Sequence, residues 1–332
     1  MGNILETCAD DGLLLSDVKL NNPSSTICIR KPVYYVAVGR GPNNNIAVST
    51  DGNKWFGVGR SVISLCQGIT YNNIQKKWVA VGMLGNNSIA TSTNGYDWTG
   101  LGNTILTDAY NVKYANNLYI AVGGQGLNSI ATSTNGYDWT GLGNTILSRG
   151  NAIEYVNDLW IIGGVDSSGT AGKYQIVTSS NGTTWNKKNI YLGDVGPTGL
   201  SYGNGLLMAV CSNNNTIAKS TNNGDTWSKI QITILSNIYD ICYSSNLWVA
   251  VGKGNNQIVT SPDGNIWTGL GNTFFGSDPK SVNYLNGIWF VCGFSSGKDT
   301  TSIFSSSNGN NWSSKVRSTI LSICTAIEYT NP

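Results

Sequence analysis

Ser92-Thr93-Asn94-Gly95-Tyr96-Asp97-Trp98 is the stretch from which the fold can be read. A small hydroxyl, an amide and a glycine in close succession build a tight turn. The amide side chain caps backbone N–H groups, and glycine accepts a positive φ without steric cost. The indole three residues after the glycine covers the turn from the strand that follows. The pattern Ser-x-Asp/Asn-Gly-x-x-Trp recurs at Ser49 to Trp55, Ser133 to Trp139, Ser179 to Trp185, Ser261 to Trp267 and Ser306 to Trp312. A form one residue longer runs from Ser220 to Trp227. Successive closing tryptophans (Trp55, Trp98, Trp139, Trp185, Trp227, Trp267, Trp312) stand 43, 41, 46, 42, 40 and 45 residues apart. A turn-plus-aromatic signature with a period in the low forties specifies a radial array of short-stranded units.

Each unit divides into four strands, a to d. In the unit around Trp98, Gly68 to Tyr71 is strand a and Lys77 to Gly82 is strand b. Ser88 to Thr91 is strand c, leading into the box, and Trp98 to Leu101 is strand d. The apolar run Trp78-Val79-Ala80-Val81 reads as a strand covered on both faces. Strand a ends on a tyrosine in every unit: Tyr71, Tyr114, Tyr155, Tyr202, Tyr243, Tyr284 and Tyr329. An aliphatic precedes each by two positions (Ile69, Val112, Ile153, Leu200, Ile241, Val282, Ile327), so both share one face of the strand. Strand b carries Tyr35, Trp78, Tyr119, Trp160, Leu207, Trp248 and Trp289 at one equivalent place, as packing between units requires.

The first box precedes the first tyrosine, and the last tyrosine follows the last box. Strand a of the first unit must therefore come from the C-terminus, through Ala326-Ile327-Glu328-Tyr329, which repeats Ala152 to Tyr155. The competing candidate, Ile27-Cys28-Ile29, lacks the tyrosine. The expected fold is all-β: a seven-bladed β-propeller of four-stranded antiparallel blades over residues 33–332, closed by the C-terminal strand, with residues 1–32 as an N-terminal arm. Asn87 to Leu106 and Asn128 to Leu147 are identical over twenty residues, so two adjacent blades share a recent copy.

Composition narrows the function classes. Charged residues make up 11% of the 332-residue chain, against about 25% in an average soluble domain. The net charge of +2 is too small to steer the molecule broadly onto nucleic acid. With no histidine, the commonest general base and metal ligand is absent. Seven cysteines without framework spacing argue against a disulfide scaffold and for an intracellular protein, and the Asn-rich, histidine-free, duplicated chain resembles repeat proteins of bacteria or large DNA viruses, which implies a virion-associated alternative. The acidic N-terminus does not read as a signal peptide, and no apolar run reaches the ~18 residues of a membrane span.

The box resembles that of the Asp-box (BNR-repeat, sialidase-like) propellers, over about residues 33 to 331. Ser220 to Trp227 fits the full Ser-x-Asp-x-Gly-x-Thr-Trp form with Asn222 in place of Asp, and the other six are shortened. The resemblance implies that the boxes lie on the face away from any active site. It also implies that sialidase-like members hold a carboxylate with three arginines on the opposite face, built by the b–c and d–a loops. On that face the sequence offers Arg40, Arg60 and Arg317, with Lys253, Lys280 and Lys298 and the inner-strand pair Glu328 and Tyr329. The Phe/Tyr-Arg-Ile-Pro motif is missing, and no acid Asp can be placed. Only Glu328 presents itself where a glycosidase needs two carboxyls. Amide-rich b–c loops, among them Asn43-Asn44-Asn45, suit either a neutral-sugar rim or ordinary turns.

The resulting expectation is a non-catalytic propeller without cofactor or metal. It would serve as a binding or assembly scaffold for a protein or glycan partner, as in a virion or surface component, with self-assembly through the arm and no nucleic-acid or membrane partner. The alternative is a sialidase-like hydrolase or a lectin for anionic glycans.

Overall fold

The computed structural model describes residues 15–19, 26–30, 32–60, 62–167, 175–193, 195–212, 215–295, 301–317 and 320–330; for 15–19, 26–30, Thr301 and Arg317 the description is of backbone alone. The architecture is all-β and contains seven four-stranded antiparallel sheets, six of them in sequential order and the seventh completed by the last strand of the chain, arranged as a ring. Blade 2 is typical: strand a is Leu65–Asn72, b is Lys77–Met83, c is Ile89–Ser92 and d is Thr99–Gly100. Blade 1 takes its strand a, Ile323–Tyr329, from the far end of the chain and adds Tyr35–Arg40, Ile46–Ser49 and Phe56–Gly59. Tyr35 faces Tyr329 across this junction, their rings 4.7 Å apart, and Thr330 N donates to Tyr34 O. The competing segment pairs elsewhere, Thr26–Arg30 lying antiparallel to Leu15–Lys19 in a separate two-stranded sheet.

Strand a is longer than the sequence suggests. It runs back four or more residues before its tyrosine because a β-bulge lets it continue past a break in register; in blade 2 the shift falls between Cys66 and Gly68, in blade 6 between Ile238 and Asp240. Five a–b hairpins turn on two residues of positive φ: Asn116-Asn117, Asn157-Asp158, Asn204-Gly205, Ser245-Asn246 and Asn286-Gly287. Those are the residue types that a two-residue turn of this hand selects.

The core lies between blades. Val79, Val81 and Ile89 of blade 2 pack on Tyr119, Ala121 and Ala131 of blade 3. The strand-b aromatics are almost fully buried, and six of the seven strand-a tyrosines tilt against one of them, as in Tyr71–Trp78 at 4.5 Å and Tyr155–Trp160 at 4.8 Å between ring centres, while Tyr202 meets Leu207. Such tilted pairs add stability beyond their buried area, about 0.5–1.5 kcal/mol each.

A charged central channel as the candidate functional site

The seven strands a line the axis of the ring. Between the aliphatic and the tyrosine of each stands one residue on the opposite strand face: Thr70, Lys113, Glu154, Ser201, Cys242, Asn283 and Glu328. Three residues earlier, at the bulge, stand Gln67, Tyr110, Asn151, Thr198, Tyr239, Lys280 and Thr325. All of these except Thr70, which is buried and accepts from Tyr114 N of the next blade, enclose with the residues beside them a channel of about 420 Å³, open toward the b–c and d–a loops. A second opening of about 500 Å³, on the box face, shares Lys113, Glu154, Ser201, Cys242, Asn283 and Glu328 with the first, so the channel passes through the ring.

The narrow middle holds an ion pair, Lys113 Nζ to Glu154 Oε1 at 2.6 Å. Burial disfavours the lysine's charge, but Glu154 outweighs it, with a smaller contribution from Glu328, and the pKa rises above its ordinary value. Glu328 and Asp240 have no such partner among the ion pairs of the described residues. Burial pushes both carboxyls up to about 7 and Glu154 adds repulsion, while backbone N–H bonds pull the other way. Asp240 accepts from Ile241 N at 2.9 Å and, across the blade boundary, from Val282 N at 3.0 Å. Glu328 Oε1 accepts from Tyr329 N at 2.9 Å. The Cys242 thiol rises to about 12 through burial and the nearby Asp240, which disables it as a nucleophile near neutral pH. Among the described residues no three His, Cys, Asp or Glu side chains are placed to hold a metal ion.

Of the basic residues singled out in the sequence, Lys280 reaches the channel mouth. Its Nζ sits 4.5 Å from the centre of the Tyr239 ring and 4.9 Å from that of Phe294. Burial lowers its pKa, Asp278 opposes this, and Lys253, exposed at the end of its strand, lowers it further. Tyr239 is held by its hydroxyl, which donates to Asp278 Oδ2 at 3.0 Å. Arg40 is exposed and ends strand b of blade 1 instead of lying in the loop beyond it. Arg60 donates to Pro42 O at 2.7 Å and so ties a d–a loop to a b–c loop. Arg317 ends strand d of blade 7, its side chain not described, and Lys298 lies outside the described residues. Two b–c loops that the sequence makes longer than the rest, Gly163 to Lys173 and Gly293 to Thr301, lie partly outside them too.

The amides are used internally. Asn44 Oδ1 accepts from Gly59 N at 2.9 Å, and Asn45, buried, donates to Ile63 O at 2.6 Å and Ser64 O at 3.0 Å. Asn87, Asn128 and Asn256 repeat the Asn44 contact on Gly102, Gly143 and Gly271 N, each at 2.8 Å. These side chains staple strand d to the b–c loop; Asn43 alone of the triplet is exposed.

Two carboxyls escaped the sequence reading. Beside Glu328 the fold brings Glu154 and Asp240, so the single-carboxyl expectation is corrected to three. The signal was available: at the position of Asp240 the other blades carry Gly68, Asn111, Ala152, Gly199, Ser281 and Ala326, none of them charged.

No protein-family model and no curated protein sequence matches the chain. Solved structures do. Virginiamycin B lyase from Staphylococcus aureus superposes with a TM-score of 0.62 at 13% identity, over 76% of this chain and 84% of that one. YCF48 bound to D1 peptide gives 0.54 at 13%, over 88% and 86%. The nidogen/laminin complex gives 0.50 at 13%, over 68% and 88%. At these identities the likeness shows the seven-bladed propeller fold alone. The resemblance to the Asp-box propellers is one of the box motif alone.

Proposed function

We propose that this chain is a non-catalytic β-propeller that binds a ligand or partner segment at the mouth of its central channel and so serves as a binding or assembly scaffold. One observation carries the reading. The outer scaffold repeats from blade to blade, to the point of twenty identical residues in blades 2 and 3, yet the seven equivalent inner positions of strand a hold six different side chains, only glutamate occurring twice. A repeat fold individualises the surface that recognises something and leaves the rest repeated. Two neighbours in fold, YCF48 with its D1 peptide and the nidogen/laminin complex, are seen with protein partners, which agrees with such a role. The Asn-rich, histidine-free, duplicated sequence suits a surface or virion component. Glycan partners fit the same mouth through its tyrosines and amides.

The channel is poor in nucleophilic machinery. Lys113 is held by Glu154, the Cys242 thiol is protonated, and there is no histidine. The lyase neighbour is known in a catalytically inactive form made by replacing one histidine with alanine. A second reading, a sialidase-like hydrolase, draws on Asp240 and Glu328, since a carboxyl poised near neutrality suits a general acid. The test is a thermal-shift screen of short peptides and of cationic, anionic and neutral small molecules, on wild type and on Gln67→Trp, which plugs the mouth. At least one class stabilises the wild type and not the plugged variant, while fluorogenic sialosides show no turnover above blank. An empty screen overturns the binding reading; sialoside turnover lost in Asp240→Asn replaces it with the hydrolase.

A further inference from the structure

The middle of the channel is charged out of balance. Three carboxyls, Glu154, Asp240 and Glu328, face one lysine there, Lys113, which is already committed to Glu154 at 2.6 Å. The other channel cation, Lys280, stands at the mouth with its ammonium over Tyr239 and Phe294. The remaining titratable groups of the lining, Tyr110, Tyr239 and Cys242, are neutral near pH 7, their pKa values all raised by burial. Ser281, nine-tenths buried in the same lining and next in the ring to Asp240, has an Oγ without a hydrogen-bond partner. Buried polar groups in folded proteins are nearly all bonded, so an orphan beside an unpaired carboxyl marks a place built for something else.

We propose that the middle of the channel is a binding site for an ammonium-bearing small molecule, with Asp240 and Glu328 supplying the counter-charge and Ser281 Oγ a further acceptor. The assignment rests on the binding-module reading and gives it a ligand class. An anion would meet three carboxyls, and the described residues provide no set of metal ligands. A primary ammonium offers three donors to a site rich in acceptors. The Tyr110 and Tyr239 rings at the mouth suit the apolar body of such a molecule.

Proton linkage gives the site a signature. Asp240 and Glu328 stand near 7 when the channel is empty, whereas an alkylamine keeps its charge up to about pH 10. Binding must therefore tighten as pH rises from 5.5 to 8 and must release protons around pH 6 to 7. The experiment is titration calorimetry of the full chain with n-butylamine, 1-butanol and butyrate, at both pH values and in two buffers of different ionisation enthalpy. Butylamine is expected to bind at least tenfold tighter than the alcohol at pH 8, to weaken on acidification, and to lose tenfold or more in Asp240→Asn/Glu328→Gln. Both replacements are neutral and close in shape, and circular dichroism checks their folding. The proton release is read on the wild type, so it stands even where a variant fails to fold. Equal affinity for amine and alcohol, tighter binding at pH 5.5, or an unchanged affinity in the folded double variant overturns the proposal. If butyrate or butanol binds and Gln67→Trp blocks it, only the ammonium assignment falls. If nothing binds, the channel reading falls with it.

Discussion

At the scale of single residues, the box is a hydrogen-bonding device complete in itself. In blade 2, Gly95 N donates to Ser92 Oγ at 2.9 Å, and Tyr96 N and Asp97 N both donate to Asn94 Oδ1 at 2.9 Å. Gly95 takes φ 79°, and its carbonyl accepts from Trp98 Nε1 at 2.9 Å. The indoles of Trp55, Trp139, Trp227 and Trp312 do the same, while those of Trp185 and Trp267 have no partner. Replacing Ser92 by Ala leaves the buried Gly95 N–H unpaired, which is expected to cost about 1–3 kcal/mol in urea unfolding. Asp263 replaces the amide in blade 6. Backbone N–H groups of Ile266 and Asn265 lower its carboxyl to about 2. A depressed carboxyl contributes stability above its unfolded pKa, near 3.9, and the contribution fades as pH falls toward 2. Asp263→Asn, the residue four other boxes carry in the same seven-residue form, should therefore leave the urea midpoint at pH 7 nearly unchanged. The same variant should lose less stability than wild type between pH 4 and 2; an identical acid loss would show that Asp263 plays no part in it.

At the scale of the element, strand a decides both packing and chemistry. Its bulge pushes a carbonyl toward strand b, and Gly39, Gly82, Gly123 and Gly252 stand opposite. A Cβ at Gly82 would overlap Leu65 O, and one at Gly252 would overlap Asn237 O. This is why Val-Ala-Val-Gly recurs, a constraint the periodicity alone does not explain. Gly82→Ala is expected to destabilise by roughly 1–3 kcal/mol, because backbone and not a flexible side chain must yield; a urea series on this single variant measures it. The inner positions of strand a carry an opposite penalty. Glu328 is raised to about 7, so the folded state binds its proton more tightly than the unfolded chain and stability falls as pH climbs from about 4 to 7. Glu328→Gln removes that loss. Its Tm should exceed wild type at pH 8 and match it at pH 5, as scanning calorimetry would reveal; the reverse order would mean that Lys113 holds Glu328 ionised throughout.

At the scale of the whole molecule, the ring stands or falls at one seam. Ile323–Tyr329 pairs with Tyr35–Arg40, Ser322 Oγ donates to Arg40 O at 3.0 Å, and Thr325 Oγ1 bridges Val38 O and Cys66 O of the next blade. Deleting residues 320–332 exposes the edge of blade 1 and one flank of blade 7, surfaces otherwise buried. The truncated chain is expected to lose its cooperative thermal transition and aggregate, as circular dichroism and size exclusion would show; a sharp melt near the wild-type Tm would mean that the seam is dispensable. Deleting residues 1–32, which we propose as a separate arm, should leave that transition in place.

Seven tryptophans and seven tyrosines in alternating order were enough to count the blades and to assign the closing strand. Each of those residues serves a local turn or the contact with the adjacent blade, and that task repeats in the sequence because the geometry repeats. The channel could not be read the same way. Lys113, Glu154, Asp240 and Glu328 are dozens to hundreds of residues apart, and Lys113 and Asp240 have no like residue at their positions in any other blade. Only closure of the ring brings them to one axis, and only the burial found there moves two carboxyls to neutrality. Charge interactions depend on distance through space and on the surrounding medium, and neither is written in the order of the chain.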